Sequence, residues 1–230
     1  MFKIKRKTVS KTLKILTIVT SLGGVVLSLF TAKEAGYSHW GRRLLYFTAQ
    51  SNIWLGVTML LLLCFSRKRN SEKVMEFLYG LKYIFTVSIT LTGLVFCGLL
   101  APFSPEDYTP WTFVNFLTHV FSPVFSVVDF FMDTKQTYIT KRQTALCLVP
   151  PLSYCMLASM LGGFGVDFGR GVSYPYFFLN YRSPAGIFGF SSQGPFFVGE
   201  FYWLMIFGLA VYGIGALYAH IRNRYVLSPL

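Results

Sequence analysis

Residues Thr112–Asp133, TFVNFLTHVFSPVFSVVDFFMD, decide the architecture. Asn115, His119, Ser122, Ser126 and Asp129 recur in this otherwise apolar run, the later four at offsets of 4, 7, 11 and 14 from the first. At about 100° per residue, the five side chains fall within roughly 80° of one another on a helix. An apolar helix with one polar stripe suits lipid on one side and a bundle interior on the other. An ionisable group inside such a stripe marks a candidate functional position.

The rest of the chain fits that reading. Its 230 residues are 53% hydrophobic and 18% aromatic but only 13% charged, with a mean hydropathy of +0.52. An ordinary soluble domain is about 25% charged. The expected class is all-α: one integral-membrane domain over 1–230, a polytopic bundle with spans at about 15–32, 44–65, 77–100, 111–132, 144–161 and 196–220. The net charge of +12 would raise nucleic acid as a partner in a soluble chain. Placed in loops, the bases instead read as topology determinants and contacts to anionic lipid headgroups, with no nucleic acid.

Sixteen Lys and Arg fall on the side of the two termini and five on the other. This asymmetry predicts both termini in the cytoplasm. The apolar run Ile15–Ala32 exceeds the core of a signal peptide, so an uncleaved first span is expected. Cys64, Cys97, Cys147 and Cys155 lie in apolar runs without metal-ligand spacing, and reduced thiols are expected. No metal, nucleotide or flavin signature is present, and no cofactor is expected.

Local features sharpen the picture. Thr86, Thr90, Gly93 and Cys97 share a face of the third span, which suits close helix packing. Pro123 removes the hydrogen bond to the carbonyl four residues earlier, that of His119, and predicts a kink there. Pro150 and Pro151 break the fifth span. The fifth link, Gly162 to Pro195, holds eight glycines and the aromatics Tyr174, Tyr176, Phe177, Phe178, Tyr181, Phe188 and Phe190. Long loops are usually functional or disordered, and this one is too aromatic to be solvated. It is expected to cover the outer end of the bundle.

His39 and His220 read as interfacial, whereas His119 lies about 12 Å below the start of its span. It is either a structural histidine linking helices or a general base. In the second span, Thr48, Ser51 and Asn52 share a face, with Thr48 about 6 Å below the same boundary. A hydroxyl beside an imidazole is the nucleophile and base pair of acyl transfer. Asp129 is expected to pair with Lys82 or Lys141, and Glu200 either orients His119 or is an interfacial carboxylate.

The string Phe47-Thr48-Ala49-Gln50-Ser51-Asn52, the stretch Thr92-Gly93-Leu94-Val95-Phe96, Leu117-Thr118-His119 followed by Pro123, and Tyr174-Pro175-Tyr176 together resemble bacterial multi-pass proteins related to the androgen-induced membrane hydrolases. The resemblance runs from about Arg43 to the end. Its animal members are threonine hydrolases that cleave fatty acid esters of hydroxy fatty acids. By motif position it implies Thr48 as nucleophile and His119 as base. The animal pattern carries a further histidine and a threonine, near whose places Asn115 and Val120 stand here.

The resulting expectation is an intramembrane lipid ester hydrolase working through an acyl-threonine, with a membrane lipid or lipid-like ester as substrate. Asn52, Asn115 and Gln50 are candidate oxyanion donors. Ser51, Ser122, Glu200, Tyr174 and Tyr176 are candidate supporting or substrate-binding residues. The alternatives are a small proton-coupled transporter using Asp129, His119 and Glu200 as a relay, and a noncatalytic lipid-binding scaffold. Against the transporter stands the absence of inverted repeats.

Overall fold

A computed structural model describes residues 2–66, 72–104, 109–135, 137–169, 171–195 and 197–227. Arg67, Lys68, Arg69, Glu106, Asp107 and Arg170, which contribute to the charge and link readings, lie outside the described residues. Among the described residues, six helices are long and apolar enough to cross a membrane. They are α1 (Phe2–Phe30), α2 (Phe47–Phe65), α3 (Glu72–Leu100), α4 (Phe113–Met132), α5 (Lys141–Gly163) and α6 (Glu200–Leu227). Among the described residues there is no strand beyond an isolated bridge between Phe190 and Val198. The architecture is that of a multi-pass integral membrane protein.

The ends of the helices depart from the hydrophobic runs where local chemistry overrides composition. α2 begins at Phe47 rather than near Leu44. Before it, Trp40–Leu45 forms a 3-10 turn in which His39 Nδ1 accepts the Gly41 N–H at 3.0 Å. Thr48 therefore lies in the first turn of α2 and not a turn inside it. α4 starts where Thr112 Oγ1 accepts the Asn115 N–H. α5 opens on a capping box between Thr140 and Gln143. It steps at Cys147–Leu148, which puts Pro150 and Pro151 in the first turn of its second part, where a missing N–H costs no intrahelical bond.

Two π-turns interrupt otherwise regular helices, at Phe96–Leu100 in α3 and at Leu117–Phe121 in α4. In the second, the Ser122 N–H reaches the Leu117 carbonyl. In that wider register the absent N–H of Pro123 would have met Thr118, one residue earlier than the α-helical count. Accordingly it is the Thr118 carbonyl that takes a side chain, the amide of Asn52 at 3.1 Å. The His119 carbonyl packs instead against Gly93, where an added Cβ would stand 2.7 Å away.

α1 packs along α2 and α4, and α3 completes this group against α2 and α4. α5 and α6 flank it, and the fifth link folds back over one end. Phe168, Phe178 and Leu179 of that link are buried with Phe47, Tyr154 and Val211. Gly169 has φ +121°, and a Cβ there would lie 2.4 Å from the Tyr37 ring, so only glycine fits this approach. Of the face of α3 expected to pack closely, Gly93 and Thr86 do so, the latter through a 2.8 Å contact with the Ser126 hydroxyl, whereas Cys97 at its end is exposed. All four cysteines are free thiols, with Cys147 buried and Cys64 and Cys97 exposed.

At the opposite end of α4 from Asn115 lies a closed charge cluster. Lys14 Nζ stands 3.0 Å from Asp129 and 2.8 Å from Asp133, while Lys82 Nζ stands 2.5 Å and 2.7 Å from the same two acids. Ser10 donates to Asp129 at 2.5 Å. Lys82 was one of the two partners expected for Asp129, whereas Lys14 and Asp133 were not anticipated. Lys14 and Lys82 are 6% and 1% exposed, so their charges are engaged within the bundle. Burial alone would raise the Asp133 carboxyl, but the two ammonium groups outweigh it and hold the group well below the usual carboxylate range.

Candidate active site

Thr48 Oγ1 and His119 Nε2 are 3.2 Å apart. The other ring nitrogen is fixed by the backbone. Nδ1 stands 3.1 Å from the Asn115 carbonyl, which can only accept, so Nδ1 carries the proton. Thr118 Oγ1, which donates to the Val114 carbonyl at 3.0 Å, lies 3.0 Å from the same nitrogen and accepts from it. In the neutral ring, Nε2 is then the free acceptor and faces the threonine hydroxyl. This is the tautomer a general base needs.

The imidazole is held on its face as well. The π-turn in α3 brings Phe96 over it, with ring centroids 3.9 Å apart and planes at 23°. His119 is 8% exposed, so few motions are open to it. Below it in the same stripe, Ser122 donates to Thr20 of α1 at 3.1 Å, and Ser126 meets Thr86.

Thr48 and His119 open onto a cavity of about 370 Å³ whose walls include Ser28 of α1, Leu100 of α3, and Tyr174 and Tyr176 of the fifth link. All five stripe residues are buried, as their spacing predicts, but only Asn115 and His119 line this cavity. Tyr176 Oη lies 3.4 Å from both the backbone nitrogen and the hydroxyl of Thr48. The Thr48 N–H is one of the unpaired donors of the first turn of α2, and it donates to this phenol. Burial pushes the phenol up to about 12, so it stays a neutral donor across the ordinary pH range. On the far side of Thr48 and Tyr176, a second, apolar pocket of about 50 Å³ runs between Phe47, Leu91, Val95 and Phe207.

The remaining sequence candidates have other partners. Asn52 gives its amide to the carbonyls of Thr48, at 2.8 Å, and Thr118, and so serves the two backbones rather than the cavity. Gln50 donates to the Leu44 carbonyl, and Ser51 bridges to Thr92 of α3 at 3.0 Å. Asn115 donates to the Pro110 carbonyl at 2.7 Å and still lines the cavity. Glu200 accepts from Ser159 at 3.1 Å and lines no cavity with His119. No hydrogen bond joins Asp129, His119 and Glu200 among the described residues.

Two contributors went unrecognised from the sequence. Phe96 stood out only as part of a motif, and nothing in its surroundings signalled the π-turn that stacks it on His119. Arg43, which also lines the cavity, reads from the sequence as a topology-setting base. Comparisons with protein families, with curated proteins and with solved structures return no match.

Proposed function

We propose that the protein is an intramembrane lipid ester hydrolase with Thr48 as nucleophile and His119 as general base. The observation that carries this reading is the 3.2 Å approach of Thr48 Oγ1 to an Nε2 whose partner Nδ1 is committed to the Asn115 carbonyl. The motif resemblance to threonine hydrolases supplies the reaction class. The charge asymmetry of the loops supports cytoplasmic termini, and with them a site in the outer half of the membrane, a bacterial cytoplasmic membrane being the expected setting.

The steps balance without a cofactor. Thr48 Oγ1 attacks the ester carbonyl and its proton passes to His119 Nε2. The tetrahedral intermediate collapses, the alkoxide leaves with that proton, and an acyl-threonine remains. Water, deprotonated by the same nitrogen, then attacks the acyl carbon, and the fatty acid departs as Thr48 recovers its proton. The Tyr176 hydroxyl and the Thr48 N–H, both beside the attacking oxygen, take the oxyanion role that the sequence offers to Asn52, Asn115 and Gln50.

A fluorophosphonate tests the pair, since its phosphorus accepts the activated hydroxyl and releases fluoride. Wild-type protein should be labelled on Thr48. Thr48→Ala should lose the label completely, and His119→Ala should slow it about 100- to 10,000-fold, the usual range for a general base. Labelling of Thr48→Ala at the wild-type rate would refute the assignment.

A further inference from the structure

The reaction cavity does not end at Thr48. A wider vestibule of about 650 Å³ lies between the end of α1, at Thr31 to Gly36, and the start of α4, at Thr109 to Asn115. Arg43, Val114 and Asn115 line both spaces, so Arg43 stands where one passes into the other. Around this region the surface is aromatic and open: Phe30 is 80% exposed, Phe113 68% and Trp111 48%. A rim of that kind faces acyl chains more comfortably than water.

Arg43 differs from the other enclosed bases. Lys14 and Lys82 each meet two carboxylates, and Arg222 donates to the carbonyls of Phe130 and Lys135. Arg43 pairs with no carboxylate among the described residues, and its buried Nε has no hydrogen-bond partner. Its guanidinium lies 4.3 Å over the Tyr37 ring, and Tyr37 is in turn seated against Gly169 of the fifth link. The group is thus aimed by an aromatic support, and Glu34, the carboxylate that shares the vestibule, makes no ion pair with it. A half-buried charge with no ion pair favours an anionic partner wherever protein and lipid replace part of its water. A planar fork of N–H donors suits the paired oxygens of a phosphodiester or a carboxylate.

We infer that Arg43 is the anion-binding residue of a headgroup subsite, and that the substrate is an anionic lipid whose ester reaches Thr48 from the vestibule between α1 and α4. The apolar pocket beyond Thr48 and Tyr176 receives the start of the acyl chain, which leaves the charged end on the Arg43 side. The ester in this inference rests on the hydrolase reading; the anion site does not.

Binding is therefore measured without turnover, in full-length Thr48→Ala protein in neutral detergent. The probes are dioleoyl phosphatidylglycerol, oleate and the net-neutral dioleoyl phosphatidylcholine. Native mass spectrometry should show one of the two anionic amphiphiles, or both, held about tenfold or more tightly than phosphatidylcholine, the size of a charge-assisted contact. The preferred probe tells whether phosphodiester or carboxylate is favoured. Arg43→Gln should remove the preference by weakening the anionic probes more than phosphatidylcholine, whose phosphodiester is already balanced by its choline, and Arg43→Lys should keep part of it. Arg42→Gln, at a base lining neither cavity, should keep all of it.

A preference that survives Arg43→Gln, one that is lost equally in Arg43→Lys, or none in the parent protein would overturn the inference. Displacement of the lipid by millimolar inorganic phosphate would also overturn it, because the site would then take free anions. Anion preference in a chain whose Thr48 is never labelled would uphold this site and refute the hydrolase reading. Labelling of Thr48 without anion preference would do the reverse.

Discussion

At one end of α4, Asp129 and Asp133 meet Lys14 and Lys82 through ion pairs of 2.5 to 3.0 Å. At the other, Thr48, His119 and Tyr176 meet at 3.2 to 3.4 Å beside a cavity of about 370 Å³. Both clusters are polar groups within an apolar bundle, the first buried and the second half-buried around a buried His119, and both draw on the same stripe of one helix. They differ in what is left over. In the first, two cations face two anions and hydroxyls fill in around them. In the second, the backbone holds the imidazole and the phenol, yet Nε2, the threonine hydroxyl and the phenol still border space that a substrate can occupy. Closure of the first kind locks three helices together, whereas openness of the second kind is what chemistry requires.

That contrast can be broken at either end. The largest effect is expected from Lys82→Met, which leaves two carboxylates sharing one ammonium. Removing one partner of a buried pair typically costs about 3–5 kcal/mol, so the melting temperature in detergent should fall sharply. Fluorophosphonate labelling per folded molecule should stay close to wild type. If labelling collapsed while the fold held, the two ends would be coupled, contrary to their separation into a structural and a reactive cluster.

Gly93→Ala acts between them. The new Cβ would press on the His119 carbonyl at 2.7 Å and on the Pro123 ring at 3.1 Å, and the first of these is backbone that cannot swing aside. A loss of about 1–3 kcal/mol in stability is expected, the usual cost of overpacking, together with slower labelling because the imidazole is displaced. A variant as stable and as reactive as wild type would show that the site tolerates such a shift. The smallest effect belongs to Tyr176→Phe. It removes two long hydrogen bonds to Thr48, and hydrolysis of a para-nitrophenyl ester should slow about tenfold, the scale of an ordinary hydrogen bond, with the melting temperature nearly unchanged. An unaltered rate would leave the oxyanion role to the Thr48 N–H alone.

Much of this was legible in the chain. Asn115, His119, Ser122, Ser126 and Asp129 announce one buried helical face by spacing alone, and six apolar runs match the six helices long enough to cross a membrane. His119 stood out because an imidazole deep in an apolar run needs a reason. Thr48 did not, since membrane threonines usually bond their own backbone, and only its motif singled it out. The register of α2 was hidden because Leu44–Tyr46 is as apolar as the start of the helix itself, while the His39 cap that bends the chain there leaves no hydrophobic signature. Lys14 and Asp133 are 119 residues apart, and pairing over such a separation depends on which helices adjoin. The π-turn in α4 had one legible cause, Pro123, whose missing N–H was assigned to the α-helical partner rather than to Thr118, whereas that in α3 had none.

The central claim is that Thr48 becomes acylated with His119 as its base. It is tested most directly by mixing purified protein with para-nitrophenyl octanoate, quenching in acid during turnover and mapping the digest by mass spectrometry. The account predicts an octanoyl mass on the peptide carrying Thr48, and greatly slowed acylation in His119→Ala. Octanoyl on a different residue such as Ser51, or steady turnover with no acylated peptide, would contradict it.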